Sequence, residues 1–405
     1  MPLIELWKNN PEQIEQYAID QIVAFAGGKE PLKDGNSCAS ELREYLSKIP
    51  TQTLGVHVEK CLTDSFKDSG LVLQDIVNEL GRRLDYDVKN GLYQGRKGAI
   101  GFDGLWELPN GHSLVVEVKT TDAYRINLDT LANYRMSLLN QDQISTNSSI
   151  LIVVGRQDTG DIEAQVRGSR HAWDIRLISA DALLRLVDLK EKTDEDETLS
   201  KIQSLLVPFE YTRLDNIIDV VFATAKDVEA AVDNELQDVD DVTSLGSSTA
   251  KVSYAHQHTP QAIMTDIRNK IVKSISEREG VNFLAHKRSL FWSPDHKTRA
   301  IISLSKLYDG GNGYYWYGFH PQWKAFLEAG DVGFHVLGCV GKNYALALPR
   351  ELIIGVLDKL NTSEKDGGRH WHIHIEHDDN GEPSIIVHKT GDRLSVSEHS
   401  TRLFS

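Results

Sequence analysis

The sequence predicts an α/β chain: a helical N-terminal region, a mixed α/β core and a separate α+β domain at the C-terminus. Three observations carry this. Between residues 70 and 190, apolar runs of strand length alternate with amphipathic helical stretches, as in a sheet flanked by helices. Residues 238–250 (DVDDVTSLGSSTA) are acidic and Ser/Gly-rich, with only isolated apolar residues, as a linker is. Beyond it the composition shifts, and 12 of the 15 His and four of the seven Trp follow residue 250. The 405 residues suit two or three domains of roughly 100–200 residues. The expected divisions are a helical region at 1–68, an α/β domain with trailing helices at 69–237, a linker at 238–251 and an α+β domain at 252–405.

The elements follow in order. Ile14, Tyr17, Ala18, Ile22 and Phe25 recur at helical spacing and predict a helix over 10–26, with Pro11 in its first turn after Asn10. Helical stretches follow near 38–48 and 53–68. The next helix spans 71–84 (LVLQDIVNELGRRL), a strand lies at 86–93, and a hairpin follows. Then come a helix at 127–140, an apolar strand at 149–155, a helix near 160–170 and a strand at 173–178. A helix at 213–237 with an apolar face of Leu214, Ile217, Ile218, Val221 and Phe222 leads into the linker. The C-terminal domain is expected to open with a helix at 260–277 and continue with strands at 334–348 and 370–376.

The formal charge is −15, yet a polyanion responds to the local patch rather than the total. Residues 188–241 hold 16 acids and 5 bases, whereas residues 261–350 hold 12 bases and 7 acids. No run of 18 apolar residues exists, so no membrane-spanning helix is expected. The opening MPLIELWKNNPEQ lacks the basic and apolar segments of a secretory signal. Cys38, Cys61 and Cys339 are too few and scattered for a disulfide framework, so a cytoplasmic, reduced protein is the expectation. No GxxxxGK run followed by Ser or Thr occurs, which argues against an NTP-driven translocase.

Residues 101–122, GFDGLWELPNGHSLVVEVKTTD, carry the chemistry. Pro109 presets φ for the second position of a type I turn, Asn110 suits the third, and Gly111 can take the left-handed position that follows. Such a three-residue hairpin loop pairs residue 108 with 112. Paired numbers then sum to 220, and Asp103 falls opposite Glu117. Side chains alternate along strands, so Asp103, Glu117 and Lys119 share a face. Phe102, Val116 and Val118 point the other way, into a core. A two-residue loop would separate the two carboxylates. Two carboxylates and a lysine converging from adjacent strands suit Mg²⁺ and a phosphodiester, because Mg²⁺ takes one or two carboxylates and fills its other positions with water and phosphate oxygens. The plain alternative is a solvated ion pair worth under ~1 kcal/mol.

This arrangement resembles the PD-(D/E)XK nuclease superfamily, which includes many restriction endonucleases. Its hallmark is an acid on one strand, then acid-any-Lys on the next, within an α-β-β-β-α-β core. Here the residues are Asp103 and Glu117-Val118-Lys119, and the resemblance covers about 70–190. Gly101-Phe102-Asp103 replaces the Pro-Asp pair. Many members add a glutamate from the first helix. Alignment on LDYDV places Gln74 there, with Glu79 the helix's only glutamate and Asp75 a neighbouring acid, so Glu79 is the candidate third metal-site acid. The resemblance implies a restriction-endonuclease-like fold, Mg²⁺ with Mn²⁺ as a substitute, and catalysis by Asp103, Glu117 and Lys119. It also puts Gln165, Arg167 and Arg170 on a helix facing the substrate, Gln165 in a catalytic role. Arg96 and Lys97, just before the second strand, are candidate backbone contacts.

Two motifs mark the C-terminal domain. YYWYGFHPQWKAF (314–326) is dense in rings that stack on bases. Its Trp316 and Trp323, with Lys287, Arg288, Lys297 and Arg299, are candidate nucleic-acid contacts, and a core strand is the alternative. Tyr315, Tyr317 and Phe319 fall on one face, Tyr314, Trp316 and Gly318 on the other. In RHWHIHIEH (369–377), His370, His372 and His374 share a face that either binds Zn²⁺ or is half of an ordinary strand. The expectation is therefore a Mg²⁺-dependent DNA endonuclease of restriction or antiviral defence, acting as a homodimer, with a C-terminal recognition domain and partner subunits in a defence system. A repair or RNA-directed nuclease of the same fold, or a silent nucleic-acid-binding relative, are the rivals.

Overall fold

The computed structural model describes residues 3–64, 66–96, 98–120, 126–155, 160–193, 196–208, 261–308, 313–365, 368–378 and 380–403. The helix expected at 213–237, the linker at 238–251 and Lys97 lie outside them. The chain divides into two compact units, Met1–Ala225 and Lys226–Ser405.

The first unit is built on a five-stranded sheet in the order β1 (Asp87–Asn90), β2 (Gly104–Glu107), β3 (Ser113–Lys119), β4 (Ser148–Val154) and β5 (Ile175–Ser179). The first three strands pair antiparallel and the last three parallel. Strand β4, between β3 and β5, is buried along its whole length, as expected of an unbroken apolar run covered on both faces. Leu151 and Val153 enter one core, while Ile150, Ile152 and Val154 enter the other.

Ten helices surround the sheet among the described residues: α1 (Leu3–Asn9), α2 (Pro11–Ile14), α3 (Ile19–Phe25), α4 (Ser37–Leu46), α5 (Thr51–Thr63), α6 (Ser69–Arg83), α7 (Leu128–Asn140), α8 (Gly160–Arg167), α9 (Ala180–Glu191) and α10 (Asp196–Ser204). Leu128, Leu131 and Leu138 of α7 and Ile162 of α8 pack on the Ile150 face. On the opposite face α6 and α9 share a single core with the N-terminal helices, so Leu42 and Val58 belong to the same cluster as Val72, Trp106 and Leu151. The helical segment at 1–68 is thus built into the same unit as the sheet.

The helix expected over 10–26 is interrupted. Ala18 adopts an extended conformation and caps α3, its N–H donating to Gln21 Oε1 at 3.1 Å. Helix α1 precedes it; its seven residues fall short of the roughly 11–18-residue window over which helical periodicity is read.

The second unit contains two six-stranded sheets. Tyr315, Tyr317, Phe319, Ile373 and Ile375 of one share a core with Ile301, Leu337 and Leu348 of the other. The run expected as one strand at 334–348 is two, Val332–Cys339 and Tyr344–Pro349, joined by a turn in which Gly341 has φ 92°. Helix Gln261–Glu279 contributes Ile271 and Ile275 to a further cluster with Ala300 and Val336. All three cysteines are buried free thiols. Among the described residues no helix is long and apolar enough to cross a membrane.

Trp106 is fully buried where α6 meets the sheet, and its indole N–H donates to Asn78 Oδ1 at 2.9 Å. Trp106→Ala leaves both a cavity and an orphaned amide oxygen, and is expected to lower the unfolding free energy by about 3–5 kcal/mol. Urea denaturation followed by circular dichroism checks this. A loss below ~1 kcal/mol would mean that α6 and the sheet are not held by this residue.

Candidate active site

The β2–β3 hairpin has the register that its turn residues predict. Gly104 faces Val116 and Glu107 faces Ser113. Leu108 N–H donates to His112 O at 2.9 Å, and Gly111 N–H to Leu108 O at 2.8 Å. The ladder ends at Gly104. Asp103 N–H donates to Val116 O at 3.0 Å, the residue already facing Gly104, so the chain slips by one position. Phe102 therefore packs with Leu105 and Val115. This corrects two expectations, that Asp103 pairs directly with Glu117 and that Phe102 follows Val116 and Val118, since strict alternation ends where a strand bulges.

Asp103 is held at both ends. Its Oδ2 accepts Val118 N–H at 2.7 Å, a side chain standing in for a backbone acceptor. Its carbonyl accepts Gln74 Nε2 at 3.0 Å, Asn78 Nδ2 at 2.9 Å and Gly91 N–H at 2.9 Å. Gln74 and Asn78 lie one turn apart on one side of α6, both buried. The chain must approach closely here. A Cβ on Gly104 would sit 2.2 Å from Asn78 Oδ1, and one on Gly91 would sit 1.9 Å from Phe102 O. Neither position admits a side chain without moving backbone or clamp.

Glu117 and Lys119 emerge from β3 on the side that Val115 faces. Glu117 Oε1 accepts Lys119 Nζ at 2.5 Å, with the carboxylate side chain 12% exposed and the lysine 37%. Burial, and then the Glu117 charge, push the Asp103 carboxyl up to about 7, against the opposing pull of Val118 N–H and Lys119. Burial works against the Lys119 ammonium, but Glu117 and, more weakly, Asp103 and Tyr134 outweigh it and raise its pKa. Tyr134 comes from α7, its hydroxyl 2.8 Å from where a Gly101 Cβ would lie. No spacing rule reaches from the hairpin to that residue.

Asp103 Oδ1 and Glu117 Oε2 make no hydrogen bond among the described residues. With both carboxylates ionised, this poorly solvated site with one lysine carries surplus negative charge, and the hard oxygens fit Mg²⁺. Among the described residues no group of three or more His, Cys, Asp or Glu side chains is gathered as a metal cage. A cation here would fill its other positions with water and substrate oxygens.

Other predicted residues lie elsewhere. Glu79 is engaged by Arg83 at 3.1 Å and Arg82 at 3.7 Å. Arg83 in turn donates to the carbonyls of Leu46 and Ile49, so Glu79 braces α6 against α4 and the chain after it rather than joining Asp103. Gln165 clamps the backbone of Ile126, donating to its carbonyl and accepting its N–H at 3.2 Å. It lines a cavity of about 610 Å³ together with Asp129, Arg170 and His171. Arg170 pairs with Asp129 at 2.8 Å and Arg167 with Glu163 at 2.5 Å, both arginines largely exposed. Arg96 is exposed.

In the second unit, Lys287 is buried and Arg288 half-buried. Lys297 is exposed and 3.8 Å from Asp331. Arg299 donates to the carbonyls of His296 and Phe326, both at 3.1 Å, and lies over the Phe326 ring. Trp323 is a core residue, 8% exposed and edge-on to Phe319 and His335. Of these candidates, Lys287 and Trp323 are buried and Arg299 is half-buried and engaged with two carbonyls. Trp316 is on the opposite side of its strand from that core. His370 and His372 both meet Ser363 Oγ, at 2.8 and 2.7 Å. Comparison with models of known protein families finds no match, and neither does comparison with curated proteins.

Without a cation, folded Asp103 keeps its proton up to about pH 7, whereas an unfolded chain releases it near pH ~4. Between these values the unfolded state binds fewer protons, so stability falls as pH rises. Asp103→Asn removes this penalty and still offers Val118 an acceptor. In EDTA at pH 8 the variant should be more stable by about 1–3 kcal/mol, allowing for solvent screening, and the gain should vanish by about pH 4. Thermal melts at the two pH values check it, and a variant less stable than wild type at pH 8 would contradict it.

Proposed function

We propose that the chain is a Mg²⁺-dependent endonuclease that hydrolyses DNA phosphodiester bonds, with Mn²⁺ as a substitute metal. The observation that carries this reading is the convergence of Asp103, Glu117 and Lys119 at the β2–β3 hairpin, with the Asp103 carboxyl raised by burial and by Glu117. The run α6–β1–β2–β3–α7–β4 supports it, because it is the element order expected of a PD-(D/E)XK nuclease.

Asp103 and Glu117 would hold Mg²⁺, which supplies polarisation of a phosphoryl oxygen and a more acidic bound water. Lys119 orients the attacking water and offsets negative charge developing on the phosphate. Glu117 holds the lysine head in place. The clamp from Gln74, Asn78 and Gly91 keeps Asp103 aimed, so little ordering remains to be done when substrate arrives. Since Asp103 gives up its proton to take a cation, metal affinity should rise with pH up to about 7.

Exposed Arg96, Arg167 and Arg170 suit phosphate contacts. The base-rich stretch 261–350 favours the C-terminal unit as the place of target recognition. Cutting both strands calls for two such sites or two passes, and a homodimer supplies the two sites. The setting we infer is cytoplasmic restriction or antiviral defence, with partner subunits.

Incubation with duplex DNA, modified and unmodified, single-stranded DNA, branched DNA and RNA, with Mg²⁺ or EDTA, tests the reading. Mg²⁺-dependent cutting of duplex DNA is expected, and cutting confined to RNA or branched DNA moves the substrate to the rival class. Asp103→Ala and Glu117→Ala should each lower cleavage by about 10³-fold or more, and Lys119→Ala by about 10²–10³-fold. Wild-type cleavage by purified Asp103→Ala would remove the assignment.

A further inference from the structure

In the second unit one sheet has a face that the core does not use. Its strands Leu307–Tyr308, Tyr314–Phe319, Thr362–Lys365, Gly368–His377, Pro383–Val387 and Asp392–Ser395 pair antiparallel throughout. Tyr315, Tyr317 and Phe319 point to the core. On the other face the register sets Tyr308 opposite Tyr314, Trp316 opposite His374 and Gly318 opposite His372.

The rings on that face touch in sequence. Tyr308 stacks on Tyr314 with centroids 5.6 Å apart, and Tyr314 lies within 3° of parallel to His374 at 5.4 Å. Trp316 meets His372 edge-on at 5.3 Å. Trp316 and His374 are 7% and 9% exposed, while Tyr308 and Tyr314 form a half-buried rim. The Trp316 indole N–H is buried without an acceptor among the described residues. An unmet buried donor is costly unless something else satisfies it.

Among the described residues the face carries little free charge. Burial, helped by His388 and His372, pushes His374 down to about 3, so its imidazole is neutral. Glu376 is paired with Arg393 at 2.6 Å. Lys306 lies at the rim, 5.5 Å from the Tyr308 ring. A phosphate would want more cations than this, and a metal has no use for an N–H donor. Flat π surfaces, the neutral His374 imidazole and an unmet donor instead match a planar, uncharged heterocycle with acceptor atoms.

We propose that this face binds an unpaired nucleobase, supplied by a single strand or turned out of a duplex, with Tyr314 as its stacking surface and Trp316 Nε1–H as a donor. The proposal rests on the nucleic-acid reading above for the class of ligand only.

The test uses the full-length protein in EDTA and fluorescence anisotropy with three labelled probes: a single strand, a duplex with one extrahelical base and a fully paired duplex. The paired duplex should bind at least about tenfold more weakly than the better of the other two, and which of those two binds tighter identifies the source of the base. Tyr314→Ala should weaken that better probe by roughly 5- to 100-fold. Trp316→Phe, which keeps a ring and removes only the donor, should weaken it about 5- to 10-fold. Melting temperatures report whether each variant folds. If Trp316→Phe does not fold, the half-buried Tyr314 carries the test alone.

Equal binding of paired and unpaired probes, no binding of any probe, or wild-type binding by folded Tyr314→Ala overturns the proposal. Cleavage is measured separately with Mg²⁺. Cutting without base preference overturns this inference alone, and base binding without cutting overturns only the nuclease reading.

Discussion

Three hydrogen bonds onto the carbonyl of Asp103 tie helix α6, the chain after β1 and the β2–β3 hairpin to one point. A carbonyl has two lone pairs, so three donors on it mark a tightly determined backbone position. The same position sends the carboxylate to Val118 N–H and thereby beside Glu117. Support extends further back. Asp75, next to Gln74, is buried and accepts Arg43 Nε at 2.9 Å and the Tyr93 hydroxyl. Tyr93 N–H in turn reaches Asp34 at 2.8 Å. Burial raises the Asp75 pKa even though Arg43 pulls it down, which makes this network a demanding one to leave half-satisfied. The N-terminal helices hold the rear of the site.

The hairpin was legible because its information is local. Pro109, Asn110 and Gly111 specify the loop, the loop sets the register, and the register brings Glu117 opposite the end of β2. The clamp was not legible, because Gln74 and Asn78 act on a carbonyl 25 or more residues away. A helix rich in polar residues does not announce which side meets a strand. Glu79 illustrates this: it is an acid on the right helix, but its turn faces Arg83. The break in alternation at Phe102 was equally hidden, since nothing in Gly-Phe-Asp marks where pairing stops. Tyr134 enters from α7, whose approach to Gly101 depends on how the sheet is covered.

In the C-terminal unit, period-two alternation separated Tyr315, Tyr317 and Phe319 from Trp316 correctly. The burial of Trp323 is harder to read from sequence, for a different reason. Pro321 starts a helix, Pro321–Glu328, and a tryptophan on the first turn of a short helix is buried or exposed according to the sheet beneath it. Basic residues were the least legible group. Arg299 satisfies two carbonyls and covers two rings, and its formal charge in a count of bases conceals that use.

One core cluster of the first unit reaches from Leu3 to Leu206, and this has a consequence for how the chain is made. The apolar faces of α1, α4 and α5 belong to a core that also needs β4, α9 and α10. At about 5–20 residues per second, a ribosome takes roughly 10–40 s to deliver the last of these after the first. Over that interval the early helices carry apolar surface whose native partners do not yet exist. The parallel pairing of β3, β4 and β5 adds long-range closures of the kind that fold slowly. The nascent first unit is thus a natural client for chaperones, and a truncated product ending before α9 would keep that surface exposed.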